Sequence, residues 1–297
     1  MRVNPNFSDD ILADLYTAQS QEQIALQQLA SGKLINMPSD NPAGAAEIVQ
    51  NQAQQDETDQ FLQNTSSVES LLQTADSTLS SVVDAVNQAI SLGTQGANGT
   101  NSPADMQAIA QQVQGIQSQI VQLANTSYQG NYIFAGTATE TVPFTLNSSS
   151  QDGVTYNGNT DTNSVQIAEG NSVQTNLPGS QVFQGSGGDV FGALQQLITA
   201  LQSGNTAAVG TATTQLGSAL NYLSQQRVFY GNVVDQLNSN QTYLQQEQVN
   251  LQTEANTVDG VNMSQAATNL SQAQTTQSAA LAALAKVIPQ NLLEYLQ

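Results

Sequence analysis

The residue types that usually do chemistry are missing or badly placed in this chain. It has no histidine and no cysteine. Ser-His-Asp and Cys-His arrangements therefore cannot form, and neither can thiolate metal sites or disulfides. The only lysines are Lys33 and Lys286, and neither follows a serine at the Ser-x-x-Lys spacing. Asp152, Asp161, Glu169 and Asp189 could in principle supply a carboxylate pair of the glycosidase kind. Solvated turn residues are the ordinary explanation for carboxylates among so many Gly and Asn. The run QGSGGD (184–189) lacks the lysine and the spacing of a phosphate-cradling loop. Asp189 there reads as the cap of the helix that follows. The run DGVTYNGNTD (152–161) carries Asp and Asn, but not at the spacing of a calcium-binding EF-hand loop. The expectation is a protein that is not an enzyme, with no catalytic, cofactor-binding or metal-ligating residue.

What the sequence does specify is helices. From Leu216 to Val258 apolar or long side chains recur every three or four residues, through Leu220, Leu223, Arg227, Tyr230, Val234, Leu237, Gln241, Leu244, Gln248, Leu251 and Ala255. A matching run passes from Phe61 through Val68, Leu72, Ala75, Leu79, Val82 and Val86. Such spacing makes one stripe along a helix, and the stripe must be buried against a partner. The nearest partner is the helix from the other end of the same chain. The segment 44–92 alone predicts a helix of roughly 70 Å. Further helices are expected over 9–31, 104–127, 190–203 and 262–287. Gly32 reads as the residue after the first helix and Pro103 as a first-turn residue, while Gly260 should interrupt and Pro289 should stop the last two.

At Asn131 the period changes. NYIFAG and VPFTL are aromatic and β-branched, and Asp152-Gly153 and Asn157-Gly158 are turn signals. The fold class that follows is mainly α with a small β insert: an elongated antiparallel helical bundle, or coiled coil, formed by the N- and C-terminal segments. The domain reading is 1–42, an N-terminal assembly helix and turn; 43–127, the N-terminal half of the helical core; 128–188, the β-rich insert; 189–260, the C-terminal half of the core; and 261–297, a C-terminal assembly helix.

Composition narrows the function. Charged residues make up 9% of the chain and its net charge is −19, with only Arg2, Lys33, Arg227 and Lys286 basic. Nucleic-acid binding needs Lys and Arg to replace phosphate counterions, and docking on an anionic membrane needs them too. No apolar run is long enough to span a bilayer, so no membrane insertion is expected. The first residues show no apolar core or cleavage site of a signal peptide, so any export is expected to proceed without a cleaved signal.

The outer helices are thinly apolar. Ile11, Leu15, Ala18, Ala25 and Leu29 share one face that Glu22 interrupts. Met263, Ala267, Leu270, Gln274, Gln277, Leu281, Leu284 and Ile288 are spaced to share another. Burying alanine removes little apolar area, and isolated helices of this length are marginal in water. Residues 1–40 and 262–297 are therefore expected to be largely disordered in the monomer and to order only against other subunits.

The segment LASGKLINMPSDNPAGAAEIVQ (29–50) resembles the N-terminal signature of the bacterial flagellin superfamily at Leu29, Ser31, Gly32, Asn36, Asp40, Gly44 and Ala45. The tail LAALAKVIPQNLLEYLQ (281–297) is similar to the C-terminus of that superfamily at Pro289, Gln290, Asn291, Leu292 and Leu293. RVFYGNVVDQL (227–237) resembles its Arg-x-x-x-Gly core segment. The start MRV and QGNYIFAG (129–136) look like the branch that joins hook to filament. The tail looks more like the filament subunit, flagellin itself, which stands as the alternative. A secreted coiled-coil translocator or effector shares the acidic, cysteine-free profile but not the two end motifs together.

The resemblance implies a structural subunit of the flagellum, exported unfolded through a type III apparatus and located outside the cell. It implies terminal helices that line an axial channel and an insert that faces outward. The implied partners are hook-associated protein 1, flagellin, a flagellar export chaperone and further copies of the chain in a ring. The residues expected at the assembly interface are Ile11, Leu15, Leu29, Leu270, Leu281, Leu284, Ile288, Leu292 and Leu293.

Overall fold

A computed structural model describes residues 7–294, with side chains from 10 to 285. Seven helices and eight short strands follow one another: α1 (Phe7–Ser31), α2 (Pro42–Gly96), α3 (Pro103–Ala124), β1 (Ser127–Tyr128), β2 (Asn131–Tyr132), β3 (Phe144–Leu146), β4 (Val154–Tyr156), β5 (Ser164–Ala168), β6 (Asn171–Gln174), α4 (Gly179–Phe183), β7 (Gln184–Gly185), β8 (Gly188–Asp189), α5 (Val190–Gln202), α6 (Thr206–Asp259) and α7 (Met263–Glu294). The chain divides into two compact units, one of residues 1–57 with 246–297 and one of residues 58–245. The expected class, mainly α with small antiparallel strand pairs, is the class found.

Side-chain caps start most of these helices. Asn41 accepts from the Gly44 amide ahead of α2, whose first residue is Pro42. Pro42 thus opens a helix, since a missing N–H costs nothing at that position. Ser102 and Asp105 form a reciprocal capping box at α3, and the Ser102 hydroxyl and amide hold the Asp105 carboxyl below its usual pKa. Asn205 caps α6 and Asn262 caps α7. Gly32, at φ +71, ends α1 in the left-handed conformation that glycine adopts without strain. The helix α7 is continuous through Pro289, where the sequence predicts a stop. Proline removes one helical hydrogen bond but its fixed φ is itself helical, so a run of helix formers after it can carry on.

In the unit 58–245 the buried stripe of α2 runs Phe61, Thr65, Val68, Leu72, Ala75, Leu79, Val82, Val86 and Ala89. The alternation of three and four keeps it on one side of the helix. From Val68 onward it joins Ile109, Val113, Ile116 and Ile120 of α3, Leu194, Leu197, Ile198 and Leu201 of α5, and Leu216, Leu223, Tyr230 and Leu237 of α6 in one core. Arg227 and Asp76 add a two-pronged ion pair between α6 and α2 at 2.8 and 3.0 Å. Tyr230 is fully enclosed. Burial raises its pKa, and its hydroxyl faces the Leu177 backbone without a well-aligned hydrogen bond.

The β segment is four separate antiparallel hairpins. Beside the β3–β4 pair lies a cluster of rings, Phe134, Phe144, Tyr156, Phe183 and Phe191, with centroids 5.0 to 5.8 Å apart. Asn125, just past α3, lies beside β3 as a strand would. Its amide donates to the Phe144 carbonyl and accepts from the Phe144 N–H, both at 2.8 Å. The Tyr156 hydroxyl donates to the carbonyls of Phe134 and Asn159. The glycines of QGSGGD form the β7–β8 hairpin flat against the ring of Tyr222, where a Cβ would collide with it.

Candidate assembly interface

In the unit of residues 1–57 and 246–297, α1 and α7 pack against each other. The buried line on α1 is Ile11, Ala18 and Ala25, with Leu15, Glu22 and Leu29 half-buried between them. On α7 it is Ala266 and Ala273, with Leu270, Gln277, Ala280 and Leu284 half-buried. Both lines step by four and three. The helices run antiparallel: Ile11 and Ala18 share a groove of ≈ 470 Å³ with Ala280 and Ala283, while Ala25 and Gln28 lie near Asn269 and Gln272. At mid-length the Gln274 amide donates to the Glu22 carboxylate at 3.3 Å.

Alanine at the seam lets the two helices approach closely, since interaxial distance follows side-chain size. The close approach brings little energy. At about 25 cal/mol per Å² an alanine methyl gives far less than a leucine side chain. The seam can align the two helices but adds little to hold them.

Apolar residues also face away from the seam. On α1, Leu12 is 40% exposed, Tyr16 68%, and Ile24 and Leu26 are exposed as well. On α7, Met263 is exposed and Leu281 is 51% exposed. Leu281 thus lies off the face that carries Leu270 and Leu284, although the sequence spacing puts the three together. The seam takes Ala266, Ala273 and Ala280 instead, each one position from Ala267, Gln274 and Leu281. Of the residues expected at the interface, Ile11, Leu15, Leu29, Leu270 and Leu284 lie along the intrachain seam and Leu281 points outward. The side chains of Ile288, Leu292 and Leu293 lie outside the described residues. Leu12, Tyr16 and Leu26 were not expected. Their spacing in the sequence forms a second stripe beside the first, and that is the signal for them.

Where α1 meets α2 and α6 meets α7, the two chain crossings are tied together. Lys33 and Gly260 form an antiparallel bridge. The Leu34 N–H donates to the Asp259 carbonyl at 2.6 Å, and the Val261 N–H donates to the Gly32 carbonyl at 3.3 Å. The Asp259 carboxylate accepts from the Ile35 N–H at 3.0 Å and pairs with the Lys33 ammonium at 3.5 Å. Asp40 closes the turn from the other side by accepting from the Asn36 and Met37 amides.

The four carboxylates singled out in the β segment divide into two exposed ones and a neighbouring pair. Asp161 and Glu169 are exposed. Asp189 caps α5 by accepting from the Gly192 N–H at 2.9 Å. Its pKa is raised by burial, against the lowering effect of the Gly192 N–H, with a further upward push from Asp152. Asp152 accepts from the Gln184 amide. Among the described residues no cluster of acidic side chains could hold a metal ion, and no helix is long and apolar enough to cross a membrane.

Sequence profiles of two flagellin segments match the chain: the bacterial flagellin N-terminal helical region over residues 7–139 and the bacterial flagellin C-terminal helical region over residues 194–296. The chain belongs to the bacterial flagellin family. Within it, flagellar hook-associated protein 3 of Escherichia coli K12 is 32% identical over 159 residues, 53% of this chain and 48% of that protein. Flagellin D of Vibrio anguillarum is 30% identical over 140 residues, 46% of this chain and 37% of that protein. The chain thus spans about half the length, or less, of the curated flagellin-family relatives it matches. The crystal structure of Bacillus cereus FlgL matches with a TM-score of 0.60 at 25% identity, covering 70% of this chain and 99% of that one.

Proposed function

We propose that this flagellin-family chain is a structural, non-enzymatic subunit of the bacterial flagellum, placed outside the cell at the junction of hook and filament. The observation that carries this reading is the terminal helix pair. Its two helices meet through alanines, and each leaves apolar side chains exposed, Leu12, Tyr16 and Leu26 along one and Met263 and Leu281 on the other. Exposed apolar residues repeated along a helix mark a surface for association. The match to a hook-associated protein 3 supports the junction over the filament body. In this reading the outward stripes pack against further copies in a ring, hook-associated protein 1 lies on one side and flagellin on the other. An export chaperone holds the C-terminal segment before the chain is exported.

Deleting the gene in the source bacterium tests this. The expected result is intact hooks, no filaments and flagellin released into the medium. Normal filaments would overturn it. The filament subunit is the second reading, favoured by the PQNLLEYL tail and by the match to Flagellin D. Polymerisation on seeds separates the two: a filament subunit grows long filaments by itself, and a junction subunit does not.

A further inference from the structure

We propose that Asn98 is a site of covalent self-modification. Its side chain cyclises onto the Gly99 nitrogen with loss of ammonia, and the loop between α2 and α3 is left with aspartate or isoaspartate. The chain has two Asn-Gly pairs, Asn98-Gly99 and Asn157-Gly158. Glycine after asparagine favours this ring closure, because no Cβ stands in the way and the backbone can turn freely. As sequence the two pairs are equivalent. As structure they are not.

Asn98 and Gly99 are both exposed, and nothing lies within 4 Å of the place a Gly99 Cβ would take. Among the described residues the Gly99 N–H and the Asn98 Nδ2 have no hydrogen-bond partner, so the attacking nitrogen and the leaving amide are both free. The Asn98 Oδ1 accepts from the Thr100 N–H at 3.2 Å and from the Thr100 hydroxyl at 3.0 Å. Negative charge builds on that oxygen as the nitrogen adds to Cγ, and two donors are already in place for it. The Gly99 nitrogen bonds to Cγ, the Cγ–Nδ2 bond breaks, and the Gly99 proton passes through solvent to the departing ammonia. Water then opens the imide at either carbonyl. One opening gives aspartate and the other isoaspartate, and either adds a negative charge just past the C-terminal end of α2, where the helix dipole disfavours it.

Asn157 is held away from the same reaction. Its Nδ2 donates to the Val142 carbonyl and the Thr145 hydroxyl, both at 3.3 Å. Its N–H donates to the Pro143 carbonyl at 2.7 Å, and the Asn159 N–H donates to the Ala135 carbonyl at 3.1 Å, so the main chain is pinned on both sides of Gly158. The Tyr156 hydroxyl and the Ala135 carbonyl crowd Gly158 too closely to admit even a Cβ. Ring closure there must break these bonds and turn a backbone that has no room to turn.

Peptide mapping of the full-length chain, incubated in mildly alkaline buffer, tests this. Asn98 should convert about tenfold faster than Asn157 or more, since only Asn98 can reach the geometry of attack. Aspartyl and isoaspartyl forms of its peptide should both appear. In denaturant the two pairs lose their surroundings, and their rates should come within about threefold of each other. Gly99→Ala meets open space, so it should keep the wild-type thermal midpoint, yet slow conversion at Asn98 by about tenfold. A ratio of Asn98 to Asn157 no larger in the folded chain than in denaturant would overturn the proposal. So would a folded Gly99→Ala chain that converts as fast as the wild type.

Discussion

Asn125 shows how a single side chain can replace a strand. Both hydrogen-bonding groups of Phe144 are met by one amide, and Phe144 sits at the centre of the ring cluster. Asn125→Ala would leave an N–H and a carbonyl without these partners at a part-buried site. The expected loss of stability is about 1–3 kcal/mol, read by denaturant unfolding. Asp189 gives the opposite kind of test. Burial is the main reason its folded pKa is raised. A raised value means the neutral carboxyl is favoured in the fold. The stabilising contribution is therefore full below the ordinary aspartate value and is lost as pH rises through the raised one. Asp189→Asn keeps an oxygen for Gly192 and has no charge to bury. It should raise the thermal midpoint at neutral pH, and the gain should vanish at pH values where Asp189 itself is neutral. A variant that is less stable at neutral pH would show that the charged cap outweighs its burial.

Helix by helix, the sequence was legible where large residues repeat and opaque where small ones do. The stripe of α6 from Leu216 to Leu251 could be placed because Leu, Tyr and Val alternate with Gln, Asn and Ser, and of its eleven expected positions six are buried and four half-buried. One exception is Gln248, which is exposed while Glu247 beside it is half-buried. In α7 alanine occurs on several faces, so hydrophobicity does not select one. Close approach selects Ala266, Ala273 and Ala280, and the apolar residues Met263 and Leu281 are left outside. The hairpin β5–β6 gave little signal, because SVQIA and NSVQ are short and polar and owe their place to Ile167 and Val173 in the core. Asn157-Gly158 reads as a hairpin turn but follows β4. Turns that do join strands carry Gly130 between β1 and β2, Gly153 between β3 and β4 and Gly170 between β5 and β6. The Asp259 contacts had no sequence signal, since they are with backbone amides far away in the chain. The alanine seam yields a prediction of its own. Ala25→Leu forces a large side chain into a close-packed position and should cost about 1–3 kcal/mol of helix-pair stability, read as lost protection along α1 and α7. Unchanged protection there would mean that the seam has room to spare.

For the molecule as a whole, charge and assembly pull against each other. Copies that each carry −19 repel one another, and only four basic residues are present to offset this. Their association should therefore depend strongly on salt. Raising the salt from about 0.05 to about 0.5 M shortens the screening length severalfold. It should speed assembly of purified chain onto hook tips by about tenfold or more. A rate indifferent to salt would mean that the joining surfaces carry no uncompensated charge. The central claim is that the outward stripes of α1 and α7 exist for neighbouring subunits and not for the chain's own fold. Filament formation in a deletion strain carrying the Leu12→Asp, Leu281→Asp double variant tests it most directly. Both side chains are exposed in the single chain, so the variant should fold and be exported as the wild type is, yet restore no filaments. Filaments of normal number and length would contradict the account.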